Sequence, residues 1–480
     1  MALPAATITS IEVVEAGKYA LPGNPPRAGM NLAGRIEAGT NPAFCRFIAR
    51  MKPGKDSDIR MEVWLPQSGW NGKFLGVANF GWGGALMYAG MLTGIQDGYA
   101  VASNDTGHDS SLPDQSGGKF ALGPNDRMID YGYRANHEMT VHAKNLIKSY
   151  YGVMPAKSYW IGCSLGGLQG LVEVKRYPDD YDGVVVGAPP NPIVSFNALQ
   201  VYPSWLVAQD RQRLVPKEKY AMVHAAVLKQ CASPIGQQHG FVDAPESCNF
   251  DPKELLCKGA ETAECLTAPQ VELLQKTYQG PVNPRTGAVI FPGPARGTEL
   301  EMFTFASGEA MSVALDMFRY AAFQNPEFNW KAMDWDKDVA AATAKVGPLM
   351  HVDSNLKPFF DRGGKLLFYI GWNDYHNPQE LIGYYQSVLK NSGAKAGNAT
   401  RLFTIPGMGH CAGGNGCDTF NKIGEIDAWV DQGKLPERIV TARVEAGKVV
   451  RTRPICAYPK VAKYRGNGDI NDAASFECAQ

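Results

Sequence analysis

Ser164 stands in Gly162-Cys163-Ser164-Leu165-Gly166, between the apolar run SYWIG and the helical pattern LQGLVEVKRYP. A G-x-S-x-G pattern placed where a strand gives way to a helix is a nucleophile elbow, a tight turn that lifts a serine hydroxyl above a sheet. A serine hydroxyl is a weak nucleophile, so acyl transfer needs a base to take its proton and an acid to orient that base. On a mostly parallel sheet these follow in the order serine, acid, histidine, each on a loop at the carboxyl end of a strand. Of the eight histidines, His224, His239, His351, His376 and His410 follow Ser164, and the first three fall in or at the end of a stretch without strand patterns. His410 lies in IPGMGHCAGG, a glycine-flanked loop after an apolar run, and Asp374 ends the run KLLFYIGWND. Asp374 and His410 fit both order and position, which leaves His376 as a neighbour or a helix-start residue.

The same two loops carry cysteines. Cys163 directly precedes the serine and Cys411 directly follows the histidine. A disulfide between them would tie the nucleophile loop to the base loop, and hydrogen-bond reach between those groups is what the chemistry demands. The alternative is two unrelated buried thiols. Among the ten cysteines, Cys231/Cys248, Cys257/Cys265 and Cys456/Cys478 form further close pairs, and no C-x-x-C spacing occurs. That usage reads as an oxidised framework rather than a zinc cluster, so the expected location is secreted or periplasmic. The start MALPAATITSIEVV has no basic segment followed by an apolar core, so a mature or trimmed form is expected; the alternative is a protein of a reducing compartment with buried thiols. The sequons at Asn104 and Asn398 matter only in a eukaryotic host.

Loops of this kind need a rigid scaffold. Over residues 1–192 short apolar runs (DIRMEVWLP, KFLGVANFG, GYAVASND, SYWIGCS, DGVVVGAPP) alternate with helical patterns, the signature of a doubly wound, mostly parallel sheet with an antiparallel start. Residues 193–352 break that rhythm with proline, glycine, four cysteines and aromatic-rich helical pieces, and read as an inserted domain. The α/β pattern resumes over 353–480 with KLLFYIGWND, PQELIGYYQSVLKNS, ATRLFTIPG and IGEIDAWVDQG, followed by a tail. A chain of 480 residues, 45% hydrophobic and 20% charged, suits two or more globular domains. Lys plus Arg and Asp plus Glu are equal at 47, so no net field draws it to nucleic acid or an anionic membrane, and no apolar run is long enough to span a bilayer. The expected partner is a small molecule; the oligomeric state is left open.

The Cys-Ser, Asp, His-Cys arrangement resembles the tannase and feruloyl esterase family, which includes the mono(hydroxyethyl) terephthalate hydrolases. The likeness extends over nearly the whole chain through FCRFIARMKPGKDSDIRMEVWLPQSGWNGKFLGVANFGWGG, ASNDTGHD, YGYRANHEMT, SYWIGCSLGGLQGL, RYPDDYDGVVVGAPP, FPGPARGTE, GWNDYHNP and PGMGHCAGGNGCDTF. It implies an α/β-hydrolase fold with a large lid inserted at 193–352. It implies a serine esterase acting on aromatic acid esters through an acyl-enzyme, with Ser164 as nucleophile, His410 as base, Asp374 orienting it, and an oxyanion hole from the N–H groups of Leu165 and Gly81. Family pairing also implies the Cys257–Cys265 and Cys456–Cys478 bridges. Cys45 and Cys417 are left over, either as free thiols or bridged to each other.

One departure concerns a cofactor. Relatives carry a calcium loop D-x-x-D-G-x-x-D-G between the first lid cysteines, whereas here Cys231 is followed by ASPIGQQHG. With Gly236 and Gly240 aligned, the carboxylate positions hold Ala232, Ile235 and His239, so no calcium is expected, a hard cation needing many oxygen ligands. Asp243 and Glu246 nearby read as solvated charges. Lid aromatics such as Phe303, Phe305, Phe318, Tyr320 and Phe323 offer an apolar slot, and Arg296 or Arg319 a cation for a substrate carboxylate or phenol, though core packing and surface pairing account for most such residues. Feruloyl, gallate and terephthalate half-esters all stay open, as do a generic carboxylester or polyester hydrolase and an inactive ligand-binding homologue.

Overall fold

The computed structural model describes residues 5–22 and 40–480. Its main sheet has nine strands: β1 (Ala6–Val14), β2 (Phe44–Met51), β3 (Ile59–Pro66), β4 (Lys73–Val77), β5 (Ala100–Asn104), β6 (Lys157–Cys163), β7 (Gly183–Gly187), β8 (Lys365–Gly371) and β9 (Thr400–Ile405). The strand order is β1-β2-β3-β5-β4-β6-β7-β8-β9. The pairs from β1 to β5 are antiparallel, and every pair from β5 and β4 onward is parallel. All of β7 (GVVVG) and all of β8 (KLLFYIG) except Lys365 is buried, because parallel strands covered on both faces are apolar throughout rather than alternating. This is the α/β-hydrolase architecture.

The helices that position the site are α1 (Tyr88–Gln96), the short α2 (Asn125–Ile129), α3 (Ala135–Tyr151) and α4 (Leu165–Arg176). Helix α3 ends on Gly152 in the left-handed conformation, φ +81°, where glycine carries no steric penalty. Between β7 and β8 the chain builds helices, including α5 (Ile193–Gln209), α6 (Lys217–Cys231) and α7 (Pro234–His239), and contributes no strand to the main sheet. The chain leaves β4 toward β5 and returns across it to β6, so the strand order reverses at the β4/β6 boundary. Ligands bind outside the carboxyl ends of strands at such a reversal. The stretch after β4 is ANFGWGG, and the residue after β6 is Ser164.

What reads from sequence as a tail is structured. Strands β10 (Arg438–Glu445) and β11 (Lys448–Cys456) form a hairpin, and β12 (Val461–Tyr464) pairs with β13 (Phe476–Ala479). The hairpin turn is Ala446-Gly447, both at positive φ, the conformation a tight hairpin requires. Disulfides join Cys231 to Cys248, Cys257 to Cys265, and Cys456 to Cys478. Cys45 and Cys417 are free and buried, and burial raises both thiol pKa values. Of the two sequons, Asn104 is buried and donates to Asn136 at 2.8 Å, while Asn398 is exposed.

Candidate active site

Ser164 sits between the last residue of β6 and the first of α4 with φ +62° and ψ −128°. For a residue with a Cβ this conformation costs on the order of 1–3 kcal/mol, and it persists only where neighbours fix it. They do so here. Ser164 N–H donates to Gly187 O at 2.9 Å, and ten of the twelve residues of α4 are buried. A Cβ on Gly166 would lie 2.6 Å from Ala78 Cβ and 2.7 Å from Asn79 O, so only glycine lets the helix start this close to the loop after β4.

Asp374 follows β8 and is fully buried. Its carboxylate accepts from His410 Nδ1 at 3.0 and 3.1 Å and from the His376 N–H at 2.8 Å. With Nδ1 donating to the carboxylate, the neutral His410 ring keeps its Nε2 as an acceptor, the state a general base needs. The acid and base loops meet backbone to backbone. Asn373 N–H donates to Met408 O at 3.0 Å, and a Cβ on Gly371 would lie 2.1 Å from that oxygen. Cys163 and Cys411, 248 residues apart, are disulfide-bonded with their Cα atoms 5.9 Å apart. Cys411 itself has φ +63°, so the bond joins two adjacent strained turns.

Ser164, His410 and Cys411 open onto a cavity of about 390 Å³. Its wall is mostly apolar, with Trp82, Tyr131, Phe196, Val313, Met317 and Tyr375 contributing. Trp82 Nε1 donates to Val313 O at 3.0 Å, and Tyr131 hydroxyl donates to Gly81 O at 3.3 Å, which fixes the loop after β4. Leu165 and Gly81 also line the cavity. Leu165 is the first residue of α4, whose N–H has no carbonyl of its own helix to bond, and Gly81 N–H has no acceptor among the described residues. Among the described residues, no arginine, lysine, aspartate or glutamate lines this cavity.

His376 also lines it and stacks on His410, ring centroids 3.9 Å apart. Its Nδ1 donates to Ala188 O at 2.9 Å, so Nε2 is left as an acceptor. Burial, with His410 beside it, holds this imidazole well below its ordinary pKa and keeps it neutral. Asn377, not His376, caps the following helix through its side chain.

The aromatics singled out in the sequence lie elsewhere. Phe318, Phe323 and Phe328 pack on one another, Phe303 packs against Tyr220, and neither Phe305 nor Tyr320 lines the cavity. Arg296 lies over the Tyr278 ring at 4.0 Å, and neither it nor Arg319 reaches the cavity. The residues that do line it include Tyr131 and Met317, which sit in π-helical turns at Asp130–Arg134 and Met317–Ala322. Such turns shift the helical phase, so no 3.6-residue pattern points to them.

At the 231–248 loop, Ser233 caps α7 by accepting from Gly236 N–H. Asp243 is ion-paired rather than simply solvated: its Oδ1 accepts from Arg453 Nη2 at 2.6 Å and its Oδ2 from Ser233 hydroxyl at 2.6 Å. A hard cation would find two carboxylates on this loop, Asp243 already neutralised by a guanidinium and Glu246 exposed, far short of the oxygen set it needs, so the residues do not fit calcium.

Residues 45–479 match the family described as tannase and feruloyl esterase. The chain is 34% identical to an uncharacterized esterase of Xanthomonas campestris pv. campestris, with 100% of this chain and 90% of the relative covered. It is 31% identical to a probable feruloyl esterase B-1 of Aspergillus oryzae, with 91% of this chain and 84% of the relative covered. The crystal structure of feruloyl esterase B from Aspergillus oryzae superposes with a TM-score of 0.90 at 28% identity, covering 100% of this chain and 98% of the other. The chain thus belongs to the tannase and feruloyl esterase family and is a carboxylic ester hydrolase.

Proposed function

We propose that this protein is a serine esterase that cleaves uncharged esters of aromatic carboxylic acids, of the hydroxycinnamoyl or gallate kind, through an acyl-enzyme on Ser164. The observation that carries this reading is the shared cavity, where a serine on a strained elbow and a histidine held by a buried carboxylate open onto one apolar space. His410 Nε2 takes the Ser164 proton as the hydroxyl oxygen attacks the ester carbonyl, then returns it to the departing alcohol oxygen. Asp374 keeps the imidazole oriented and stabilises its cation. The N–H groups of Leu165 and Gly81 meet the carbonyl oxygen as it gains charge, each such donor being worth about 3 kcal/mol. Water then gives a proton to His410 as its oxygen attacks the acyl carbonyl, and the Ser164 oxygen leaves with that proton, releasing the acid and restoring the free serine. The helical segment 193–352 acts as the lid that supplies much of the acyl pocket, and the four disulfides support an oxidising, extracytoplasmic location.

The apolar wall, without a cation among the described residues, favours a neutral aryl ester over a terephthalate half-ester, whose free carboxylate would be desolvated with none of them to pair it. In a panel of methyl ferulate, methyl gallate, mono(2-hydroxyethyl) terephthalate and a short nitrophenyl ester, kcat/KM for the half-ester is expected to be about tenfold or more below that for the better neutral aryl ester. A half-ester preference would overturn the substrate class while leaving the esterase chemistry intact.

No metal has a part in this chemistry as proposed. Because Arg453 already neutralises Asp243, EDTA treatment is expected to leave Tm and kcat unchanged. A fall in Tm that calcium restores would show that the loop holds a cation after all.

A further inference from the structure

A second cavity, of about 550 Å³, lies where three parts of the chain meet: the 233–244 loop, the carboxyl ends of β8 and β9, and the C-terminal strands. It shares no lining residue with the first. Trp372, Ile455, Val461, Tyr464, Ile470 and Phe476 make it largely apolar. Among the described residues its charged lining is Arg453, Lys460, Lys463 and Asp243; Lys460 is ion-paired to Glu437 at 3.4 Å and Lys463 donates to Gln480 O, which leaves Arg453 as the cation with free donors.

Arg453 is 6% exposed, and its guanidinium lies by the rings of Phe476 and Phe241, 4.7 and 5.3 Å from their centroids. One nitrogen is committed to Asp243; Nε and Nη1 have no hydrogen-bond partner among the described residues. Buried donors without acceptors are costly, and a guanidinium edge is shaped to hold both oxygens of a carboxylate. A space of this size, apolar with a few convergent polar groups, has the dimensions and composition of a small-molecule site.

We propose that this cavity binds a small aryl carboxylate, its ring against the Trp372–Phe476 wall and its carboxylate at the Arg453 end. The site is separate from the Ser164 chemistry and stands whether or not that mechanism holds. Trp372 lines the cavity, so occupancy also has an intrinsic fluorescence readout.

The test is titration calorimetry with 2-naphthoate, using the uncharged 2-naphthalenemethanol as its comparator. Expected are one naphthoate per chain with a dissociation constant below about 1 mM, and affinity at least about tenfold weaker for the alcohol. Arg453→Gln and the cavity-filling Ala462→Phe should each weaken naphthoate binding by about tenfold or more, and Ala462→Phe should leave hydrolysis of a short nitrophenyl ester unchanged. Absence of binding, equal affinity for the alcohol, or naphthoate affinity untouched by Ala462→Phe would each overturn the proposal. If Arg453→Gln does not fold, the alcohol comparison on the unaltered protein and the Ala462→Phe titration decide.

Discussion

Replacing Ser164 with alanine is expected to lower kcat for the best aryl ester by about 10⁴–10⁶-fold, leaving the residual rate that cavity binding and oxyanion donors alone supply. The fold should not change. Alanine meets the same φ of +62° as serine, and among the described residues the hydroxyl has no structural hydrogen bond to lose. Asp374→Asn should cost about 10⁴-fold by presenting His410 with a donor amide where it needs an acceptor. On the proposed mechanism these groups act as one unit, so Ser164→Ala combined with His410→Ala should be no slower than Ser164→Ala alone. Steady-state kinetics with matched Tm values checks all three. Turnover above about a hundredth of wild type in Ser164→Ala would mean that another group attacks the ester, and the mechanism would have to be abandoned.

The second large effect concerns the bond between Cys163 and Cys411. Closing a loop of 248 residues restricts the unfolded chain, which in the chain-entropy treatment contributes about 5 kcal/mol. Cys163→Ala with Cys411→Ala should therefore lower Tm by several degrees. The kinetic effect should be larger than that loss implies. Ser164 and Cys411 both hold positive φ, and the sulfurs join the turns that carry Ser164 and His410. A misplacement of about 1 Å costs on the order of 10²-fold in rate, so kcat should fall by about that factor well below the new Tm. Full activity in the double variant at a temperature where it remains folded would show that the bond stabilises the fold without positioning the chemistry.

The sequence displays the scaffold and its loops because each is local. VVV runs, a glycine-serine elbow, an acid ending one apolar run and a histidine following the next can all be read within windows of about ten residues. The cavity wall could not be read this way. Tyr131 and Met317 face the site because π-helical turns displace their registers, while neighbours that look better suited, such as Phe318, turn into the lid core. The C-terminal strands were legible in principle, since RIVTARVEAGKVVRTRPIC carries a hairpin turn at its centre. The pairing of Asp243 with Arg453 was not, because it spans 210 residues and depends on where the hairpin docks.

The Cys163–Cys411 bond encloses the entire helical insert between its two ends. A peptide bond cut within that insert would leave the flanking halves covalently attached, so a nicked molecule would persist as a single particle until reduced.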